Sequence, residues 1–270
     1  MLNDMWDFIV VGGGLAGSIL AFRLFHQNNR LSILVIEAGP DVSNNTIIPF
    51  TNNSALLIGS DLDWSYLTVP QTGLDNRPID NLAGKAPGGG TAINSCKISI
   101  PNTFEGVLLS ETGGWIRGDV ADYDEWADIA GDQRWSYQGT LPYMEATEHH
   151  WTNNFTPAAH DLQQYGFSGP VWDASVYFHW TGLPTARYNQ SGLGISWSTP
   201  SSRIWVDDGY PRGLAELVQN RKNGLLQLAS TVYPLNGVTV LTSTLVKKVL
   251  LSMNKGKSGR HYSLYTWLFL

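Results

Sequence analysis

The sequence is poor in cysteine, in charge and in long apolar runs, and each shortage excludes a class of protein. The single cysteine, Cys96, excludes an intrachain disulfide and a metal site built from several cysteines. Only 15% of the 270 residues are charged, and the net charge of −6 argues against nucleic acid as a partner, because phosphate backbones require a basic surface. No apolar run approaches the roughly 18 residues of a membrane-spanning helix.

The start of the chain also lacks the charged and apolar regions of a signal peptide, because the first predicted strand begins within a few residues of Met1. Taken literally, this predicts a cytoplasmic protein, or a secreted one if the true N-terminus lies upstream. Hydrophobic residues make up 43% of the chain, which is typical of a globular protein. The length allows one large α/β domain or two smaller ones.

The strongest pattern lies in the first forty residues. Residues 6–11 (WDFIVV) form a short apolar run of the kind that makes a buried parallel strand. Residues 12–17 (GGGLAG) follow directly, and apolar residues then recur at helical spacing up to His26. Residues 31–36 (LSILVI) predict a second strand, which ends at Glu37. This order predicts one βαβ unit of the dinucleotide-binding type.

Each residue of this pattern has a physical reason. Gly12 permits the tight turn from strand to helix, Gly14 lets the backbone approach a pyrophosphate, and Gly17 allows the helix to pack closely on the strands. The helix N-terminus offers free N–H groups to the phosphates. Glu37 is placed to accept hydrogen bonds from ribose hydroxyls and to repel a 2′-phosphate, so NADP is disfavoured. The βαβ unit alone does not separate FAD from NAD.

A second glycine cluster lies at residues 84–94 (GKAPGGGTAIN), shortly after residues 63–71 (DWSYLTVPQ). Three consecutive glycines indicate a backbone that bends sharply or approaches something closely. In isolation, a flexible surface turn explains this cluster equally well.

Taken together, these segments resemble the glucose–methanol–choline (GMC) family of FAD-dependent oxidoreductases. Residues 10–17 with 37–39 are similar to its N-terminal fingerprint, residues 64–71 to its D-W-x-Y-x-T-x-P-Q segment, and residues 84–94 to its glycine-rich signature. Pro87 stands where the family usually has Leu. Three further matches follow at residues 122–148, 166–171 and 238–250, so the resemblance spans roughly residues 6 to 251 and is looser between about 172 and 232.

The resemblance implies an α/β fold: a Rossmann-like FAD-binding domain with a parallel central sheet, plus part of an α+β substrate domain. We expect residues 1–150, continued by 232–254, to form the FAD-binding domain, residues 151–231 the partial substrate domain, and residues 255–270 an atypical tail. Residues 255–260 read as a hairpin turn, but residues 264–270 do not match the family's returning strand.

The resemblance also implies the cofactor site. Some relatives carry a flavin-linked His at the position of Ile93, and because Ile does not form that bond, noncovalent FAD is expected. The residue matching Val246 meets the adenine through its backbone in the family. The cofactor-binding residues implied in this way are Gly12, Gly14, Leu15, Ala16, Gly17, Glu37, Ala38, Gly90, Thr91, Asn94, Ser95 and Val246.

Catalytic residues are not assigned. In the family a His in the C-terminal half is the general base, and this chain ends before that region, which predicts a truncation or a misread exon end. The six histidines present are read as surface or packing residues; the adjacent pair His149-His150 is expected on a helix, where neighbours face different directions. No clustered spacing of ligands predicts a metal site.

Three functions remain open at this stage. The first is FAD-dependent oxidation of a small-molecule alcohol at its CH–OH group, with oxygen or a quinone-like compound as acceptor. The second is a non-catalytic FAD-binding fragment or pseudoenzyme. The third is an NAD-dependent dehydrogenase, against which the second glycine cluster weighs. The specific alcohol and the oligomeric state are not determined by the sequence.

Overall fold

The computed structural model describes residues 5–49, 56–93, 115, 117–151, 165–176, 217–223, 225–256 and 259–269. In chain order the elements are β1 (Phe8–Val11), α1 (Leu15–Gln27), β2 (Ile33–Ile36), β3 (Tyr66–Leu67), β4 (Asp80–Asn81), α2 (Val120–Ala130), α3 (Tyr137–Glu145), β5 (Glu148–Trp151), β6 (Val171–Val176), β7 (Leu217–Gln219), β8 (Arg221–Lys222), β9 (Leu225–Leu226), α4 (Ala229–Val232), β10 (Thr239–Leu241), β11 (Leu245–Gly256) and β12 (Gly259–Phe269). Short 3-10 helices lie at Thr72–Leu74, Gly89–Ala92 and Gln133–Trp135.

The described chain divides into two compact units, one of residues 1–112 with 225–270 and one of residues 113–224. The predicted domain boundaries, at 150/151 and 231/232, lie elsewhere. Residues 113–150 fall in the second unit, where α2, the 3-10 helix Gln133–Trp135 and α3 pack on one another and Arg117 pairs with Glu148 of β5. These units say nothing about which residues bind the cofactor or the substrate. The division into an FAD-binding domain and a substrate domain therefore stays a prediction.

A parallel sheet organises the first unit. β2 lies between β1 and β10 and is parallel to both, with Val10 opposite Val35 and Val240 opposite Val35 on the other side. All four residues of β2 are buried, as expected for the central strand of a parallel sheet. The α/β fold class of the Rossmann-like type is therefore confirmed. The first two strands start two residues later than predicted, at Phe8 and Ile33.

Helix α1 packs against this sheet through its small and apolar residues. Ala21 is fully buried with Val10, Ile33 and Val35, and residues such as Phe25 cover this cluster. The helix ends at Gln27, and the N–H of Asn28 donates to the carbonyl of Leu24. Apolar residues at helical spacing thus form the helix that the sequence predicts.

A second apolar cluster of the first unit lies beneath the second glycine segment. Its buried members are Ile48, Leu57, Leu62, Ala86, Ala92, Ile93 and Leu228. Residues from three distant stretches of chain therefore share one core, which anchors both ends of the glycine-rich turn.

The C-terminal residues of the chain form a long antiparallel hairpin. β11 pairs with β12 from Leu245 opposite Phe269 to Gly256 opposite Gly259. The hairpin predicted around residues 255–260 is confirmed by this pairing. The tail that did not match the family's sequence pattern nevertheless has strand backbone.

The second unit contains two capped helices and a mixed sheet. The side chain of Asp119 accepts from the N–H of Ala121 at the start of α2, and Gly131 ends that helix with a φ of +64°. The Ser136 side chain caps α3 in the same way by accepting from the N–H of Gly139. β6 is parallel to β5 and antiparallel to β7.

Within the described ranges, none of the helices combines the length and the apolar character needed to cross a membrane.

Candidate functional site

The first glycine turn joins β1 to α1 with the geometry that the spacing predicts. Gly12 has a φ of +92°, a conformation that side-chain-bearing residues rarely adopt. A Cβ on Gly17 would overlap the carbonyl oxygen of Gly12 and lie 3.2 Å from Val10 Cγ1. The close packing of helix on strand predicted for Gly17 is therefore present in the structure.

The N-terminus of α1 has no side-chain cap. Its N-cap residue is Gly14, and the structure shows no side chain accepting from the first turn at this end. Leu15 is 51% exposed and Ala16 is also exposed, so the first turn lies open at the surface of the described unit. Uncapped N–H groups at the positive end of a helix dipole favour an anion such as a pyrophosphate.

Glu37 lies at the end of β2 and is only 5% exposed. Its Oε2 accepts from the N–H of Gly13 at 2.7 Å, and its Oε1 accepts from the N–H of Gly39 at 2.8 Å. The carboxylate thus ties the first glycine turn to the loop after β2. Each carboxylate oxygen has a second lone pair, so acceptance from ribose hydroxyls remains a prediction that is compatible with these bonds.

The two glycine clusters, about seventy residues apart in sequence, meet backbone to backbone. The N–H of Gly88 donates to the carbonyl of Gly13 at 2.8 Å. A Cβ on Gly89 would lie 2.8 Å from the Cα of Gly14, too close for any side chain. This contact explains the second cluster as a close approach of two turns and excludes its reading as a free surface turn.

The remaining predicted residues of the second cluster have different surroundings. Gly90 is exposed, and a Cβ there would meet nothing within 4 Å. The hydroxyl of Thr91 is bound within the protein, to the carbonyl of Gly88 and the N–H of Ala229. Asn94 and Ser95 lie outside the described residues.

The residues predicted at the adenosine end lie near the end of β2. Ala38 is partly buried between Glu37 and Gly39, whose carbonyls accept from the N–H groups of Thr244 and Ser243. Val246 follows two residues later in β11, opposite Leu268, where the ladder becomes irregular before Val249. The backbone contact of Val246 with adenine stays a prediction.

Asp63 of the D-W-x-Y segment has a structural role in the loop that contains it. Its carboxylate accepts from the N–H groups of Gly59, Ser65 and Ala83. Burial alone would raise the pKa of Asp63, but these hydrogen bonds lower it below its usual value. The charged carboxylate therefore holds this loop together, and Ser65 has a positive φ of 50° beside it.

The histidine pair lies on a strand, so its predicted helical placement is wrong. Alternation along β5 sends the two side chains to opposite faces. His149 stacks on Trp172 at 3.8 Å between ring centroids, whereas His150 is buried, stacks on Tyr165 and places Nδ1 2.8 Å from Asp173 Oδ2. Burial raises the pKa of Asp173, with the bond to His150 acting against that rise. Both histidines thus have packing partners, as the sequence indicated.

The other histidines are placed only in part. His26 lies at the C-terminal end of α1, with Nδ1 2.9 Å from the carbonyl oxygen of Phe22. This position is about 16 Å along the helix from its first turn. His160 and His179 lie outside the described residues, and the side chain of His261 is not described.

Sequence reasoning missed a buried ion pair in the second unit. Arg117 Nη2 lies 2.6 Å from Glu148 Oε2, and the two side chains are 4% and 0% exposed. Trp115 Nε1 and the N–H of Gly166 also donate to the Glu148 carboxylate. Burial would lower the pKa of Arg117, but its bonds to Glu148 raise it above the ordinary value. No local signal marks a pair that is 31 residues apart.

The first unit therefore offers a cradle suited to a dinucleotide. Small residues line it, and its first helical turn is uncapped. Among the described residues, a Cβ on Gly14 would meet only Gly89 Cα, at 3.8 Å, so the backbone there is open to a ligand. Within the described residues no cluster of His, Cys, Asp and Glu is arranged to hold a metal ion. The geometry fits a pyrophosphate bound by backbone N–H groups.

Comparison with known proteins decides which dinucleotide family this is. A GMC-type oxidoreductase of Aspergillus aculeatus is 32% identical over 248 residues, covering 92% of this chain and 39% of that protein. The ecdysone oxidase of Spodoptera littoralis is 29% identical over 279 residues, covering 97% of this chain and 42% of that protein. The chain belongs to the GMC family of FAD-dependent oxidoreductases. This membership confirms FAD as the cofactor.

Solved structures of two oxidases share the fold of this chain. Pyridoxine 4-oxidase from Mesorbium loti superposes with a TM-score of 0.71 at 25% identity, covering 96% of this chain and 48% of that chain. A formate oxidase superposes with a TM-score of 0.69 at 22% identity, which supports the fold alone. The chain spans about two fifths of the length of the curated relatives.

A shorter match falls on the nucleotide-binding segment. The family model described as Lycopene cyclase protein matches residues 7–78. This stretch contains β1, α1 and β2 but ends before the second glycine cluster. It therefore reflects the βαβ unit and not the two-turn cradle that the GMC chain contains.

Proposed function

We propose that this chain provides the FAD-binding part of an oxidoreductase that oxidises the CH–OH group of a small-molecule alcohol. The observation that carries the proposal is the backbone contact between the two glycine turns, Gly88 N–H to Gly13 carbonyl. An isolated βαβ unit does not need this contact. A cofactor that extends from one glycine turn past the other does, because both turns must lie beside it.

In this proposal the chain's own groups bind and orient the cofactor. The uncapped first turn of α1 donates N–H groups to the pyrophosphate, and Gly14 permits its close approach. The N–H groups of Gly13 and Gly39 each occupy one lone pair of the Glu37 carboxylate. Glu37 accepts hydrogen bonds from the ribose through its other lone pairs. When bound, FAD supplies the group that accepts hydride from the alcohol.

The mode of attachment follows from Ile93. Its side chain is 6% exposed and belongs to the apolar cluster beneath the turn. An aliphatic side chain forms no bond to the flavin, so we propose that FAD is held noncovalently.

The substrate class rests on the relatives. Proteins named ecdysone oxidase, patulin synthase and pyridoxine 4-oxidase are similar to this chain, the second at 33% identity over 88% of it. Since these names differ in substrate, they support an alcohol oxidoreductase and no particular alcohol. We further propose that the general base belongs to the part of such proteins that this chain does not span.

Flavin retention tests the proposal directly. The purified chain is incubated with excess FAD and desalted, and its visible absorbance is recorded before and after heat denaturation. We expect a flavin band that remains with the folded protein and is released by heat. Folded protein without a flavin band would overturn the proposed binding function.

Gly14→Ala sharpens this test, because its backbone angles suit any residue (φ −70°, ψ −165°) and a Cβ there meets only Gly89 Cα, at 3.8 Å. The variant should fold with a loss of stability of at most about 1 kcal/mol. Its dissociation constant for FAD should rise by roughly tenfold or more, equivalent to about 1.4 kcal/mol. Gly73→Ala, at an open position of the same unit, is the matched control and should bind FAD normally.

A further inference from the structure

The hydroxyl of Thr91 both donates and accepts a hydrogen bond inside the protein. It donates to the carbonyl oxygen of Gly88 at 2.7 Å and accepts from the N–H of Ala229 at 3.0 Å. A threonine hydroxyl has a single hydrogen to donate. While the Thr91 hydroxyl donates this hydrogen to the carbonyl of Gly88, it cannot donate to a phosphate oxygen, which only accepts hydrogen bonds.

A second side chain ties the same turn to the same distant segment. Ser230 Oγ donates to the carbonyl oxygen of Pro87 at 3.2 Å. Gly88, which has a φ of +95°, lies close to the Ser230 side chain, since a Cβ on Gly88 would be 3.3 Å from Ser230 Oγ. Two hydrogen bonds thus connect the turn at residues 87–91 to the start of α4, across 138 and 143 residues of sequence.

The segment that carries these bonds is itself anchored to the first βαβ unit. Tyr233, just after α4, packs edge-on against Phe22 of α1, with ring centroids 5.5 Å apart. Leu228, just before α4, is buried in the apolar cluster beneath the second turn. The start of α4 is therefore a fixed point from which the second glycine turn is held.

The second glycine turn lies directly against the first, so the position of one determines the position of the other. Gly88 donates to the carbonyl of Gly13, and Gly89 leaves no room beside Gly14. Moving the second turn away from the first would lengthen and weaken this hydrogen bond, and the space between Gly89 and Gly14 is too narrow for a side chain. The alignment of the cradle therefore depends on what holds residues 87–91.

We propose that Thr91 and Ser230 form a latch that positions the second glycine turn against the first, and that Thr91 acts on cofactor affinity through this latch without contacting the cofactor. Both are positioning residues. The inference rests on the proposed FAD-binding function for its effect on affinity, but the latch itself exists in the cofactor-free protein.

Three single variants test the latch, namely Thr91→Val, which keeps the shape and removes the hydroxyl, Thr91→Ser, which keeps the hydroxyl, and Ser230→Ala. Amide hydrogen exchange is measured in the cofactor-free protein at Gly88 and Ala229. We expect about tenfold faster exchange at both amides in Thr91→Val, as loss of one hydrogen bond implies, and near-normal exchange in Thr91→Ser. Unchanged exchange in Thr91→Val would overturn the latch.

The FAD dissociation constant provides the second readout. Loss of the latch should weaken FAD binding by roughly tenfold in Thr91→Val and by less than about twofold in Thr91→Ser. If both bonds act through one turn, the Thr91→Val/Ser230→Ala double variant should be much less impaired than the product of the two single effects. Multiplicative effects would mean that Thr91 acts on FAD independently of Ser230, which contradicts the proposal.

The two hypotheses fail in distinguishable ways. If the unaltered protein binds no FAD, the proposed function fails, while hydrogen exchange in the cofactor-free protein still decides the latch. If Thr91→Val does not fold, Ser230→Ala decides it alone, because that variant removes only the bond to Pro87 on a partly buried side chain. Normal exchange at Gly88 in a folded Ser230→Ala variant would then overturn the latch.

Discussion

At the scale of single residues, the most demanding side chains of this protein are two buried opposite charges. Arg117 and Glu148 have lost nearly all contact with water, so each relies on the other and on polar neighbours for its stabilisation. Trp115 and Gly166 donate to the same carboxylate, which satisfies its remaining lone pairs. Such a pair is costly to break because removing one charge leaves the other buried and uncompensated.

Glu148→Gln should therefore lower the free energy of unfolding by about 3–5 kcal/mol. The amide fills the same volume but leaves the Arg117 guanidinium without its counter-charge. Urea unfolding followed by tryptophan fluorescence measures the loss. Asp132→Asn is the control, since Asp132 pairs with an Arg134 side chain that is 89% exposed and solvent screens that pair. Equal unfolding midpoints for the two variants would contradict a buried-charge penalty at Glu148.

At the scale of elements, the joins between helices and strands depend on glycines whose neighbours leave no room for a side chain. Gly237, shortly before β10, has a φ of +86°, and a Cβ there would overlap the ring of Phe25 in α1. Strand β10 can therefore pair with β2 only because the backbone at Gly237 passes close to the Phe25 ring of α1. Nothing in the local sequence around residue 237 distinguishes this glycine from an ordinary turn.

Gly237→Ala should destabilise the first unit by about 1–3 kcal/mol. Alanine is strained in the left-handed conformation of this residue, and its Cβ would collide with the Phe25 ring. Gly73→Ala, with open space and no positive φ, should leave stability nearly unchanged. Thermal unfolding of the two variants, recorded by circular dichroism, makes the comparison. A melting temperature of Gly237→Ala equal to that of Gly73→Ala would show that the contact with Phe25 is not required.

At the scale of the whole molecule, the proposed cofactor binding links FAD affinity to folding of the unit that contains both glycine turns. A ligand that binds only the folded state raises the free energy of unfolding, by about 2.7 kcal/mol when its concentration is 100 times its dissociation constant. The cradle joins residues from near positions 13, 37, 88 and 230, so unfolding of this unit removes the binding site.

FAD should accordingly raise the melting temperature of the chain, with a shift that grows with FAD concentration, and Gly14→Ala should reduce that shift. NAD at the same concentrations should have little effect, because the proposed site places FAD along both glycine turns. Differential scanning fluorimetry with both nucleotides measures the ranking. A larger shift with NAD than with FAD would favour the NAD-dependent dehydrogenase that the sequence left open.

The sequence alone determined the first βαβ unit, since its signals are local. Apolar periodicity predicted β1, α1 and β2 to within two residues at each strand start, and Gly12 and Gly17 have the backbone roles that their spacing indicates. The order of motifs was enough to identify the GMC family and its FAD cofactor. The His149-His150 strand was mispredicted because a four-residue strand has too few residues to show a period.

Only the tertiary structure decided how the two glycine turns are used. Gly13 and Gly88, Thr91 and Ala229, and Arg117 and Glu148 are pairs whose members look ordinary in their own neighbourhoods. The Thr91–Ala229 contact arises when the chain brings β10 and the α4 segment back beside the first forty residues. The same return gives the Thr91 hydroxyl two partners within the protein, and its predicted contact with the cofactor stays a prediction. Hydrogen bonds between residues this far apart depend on the folded path of the chain, which no local pattern records.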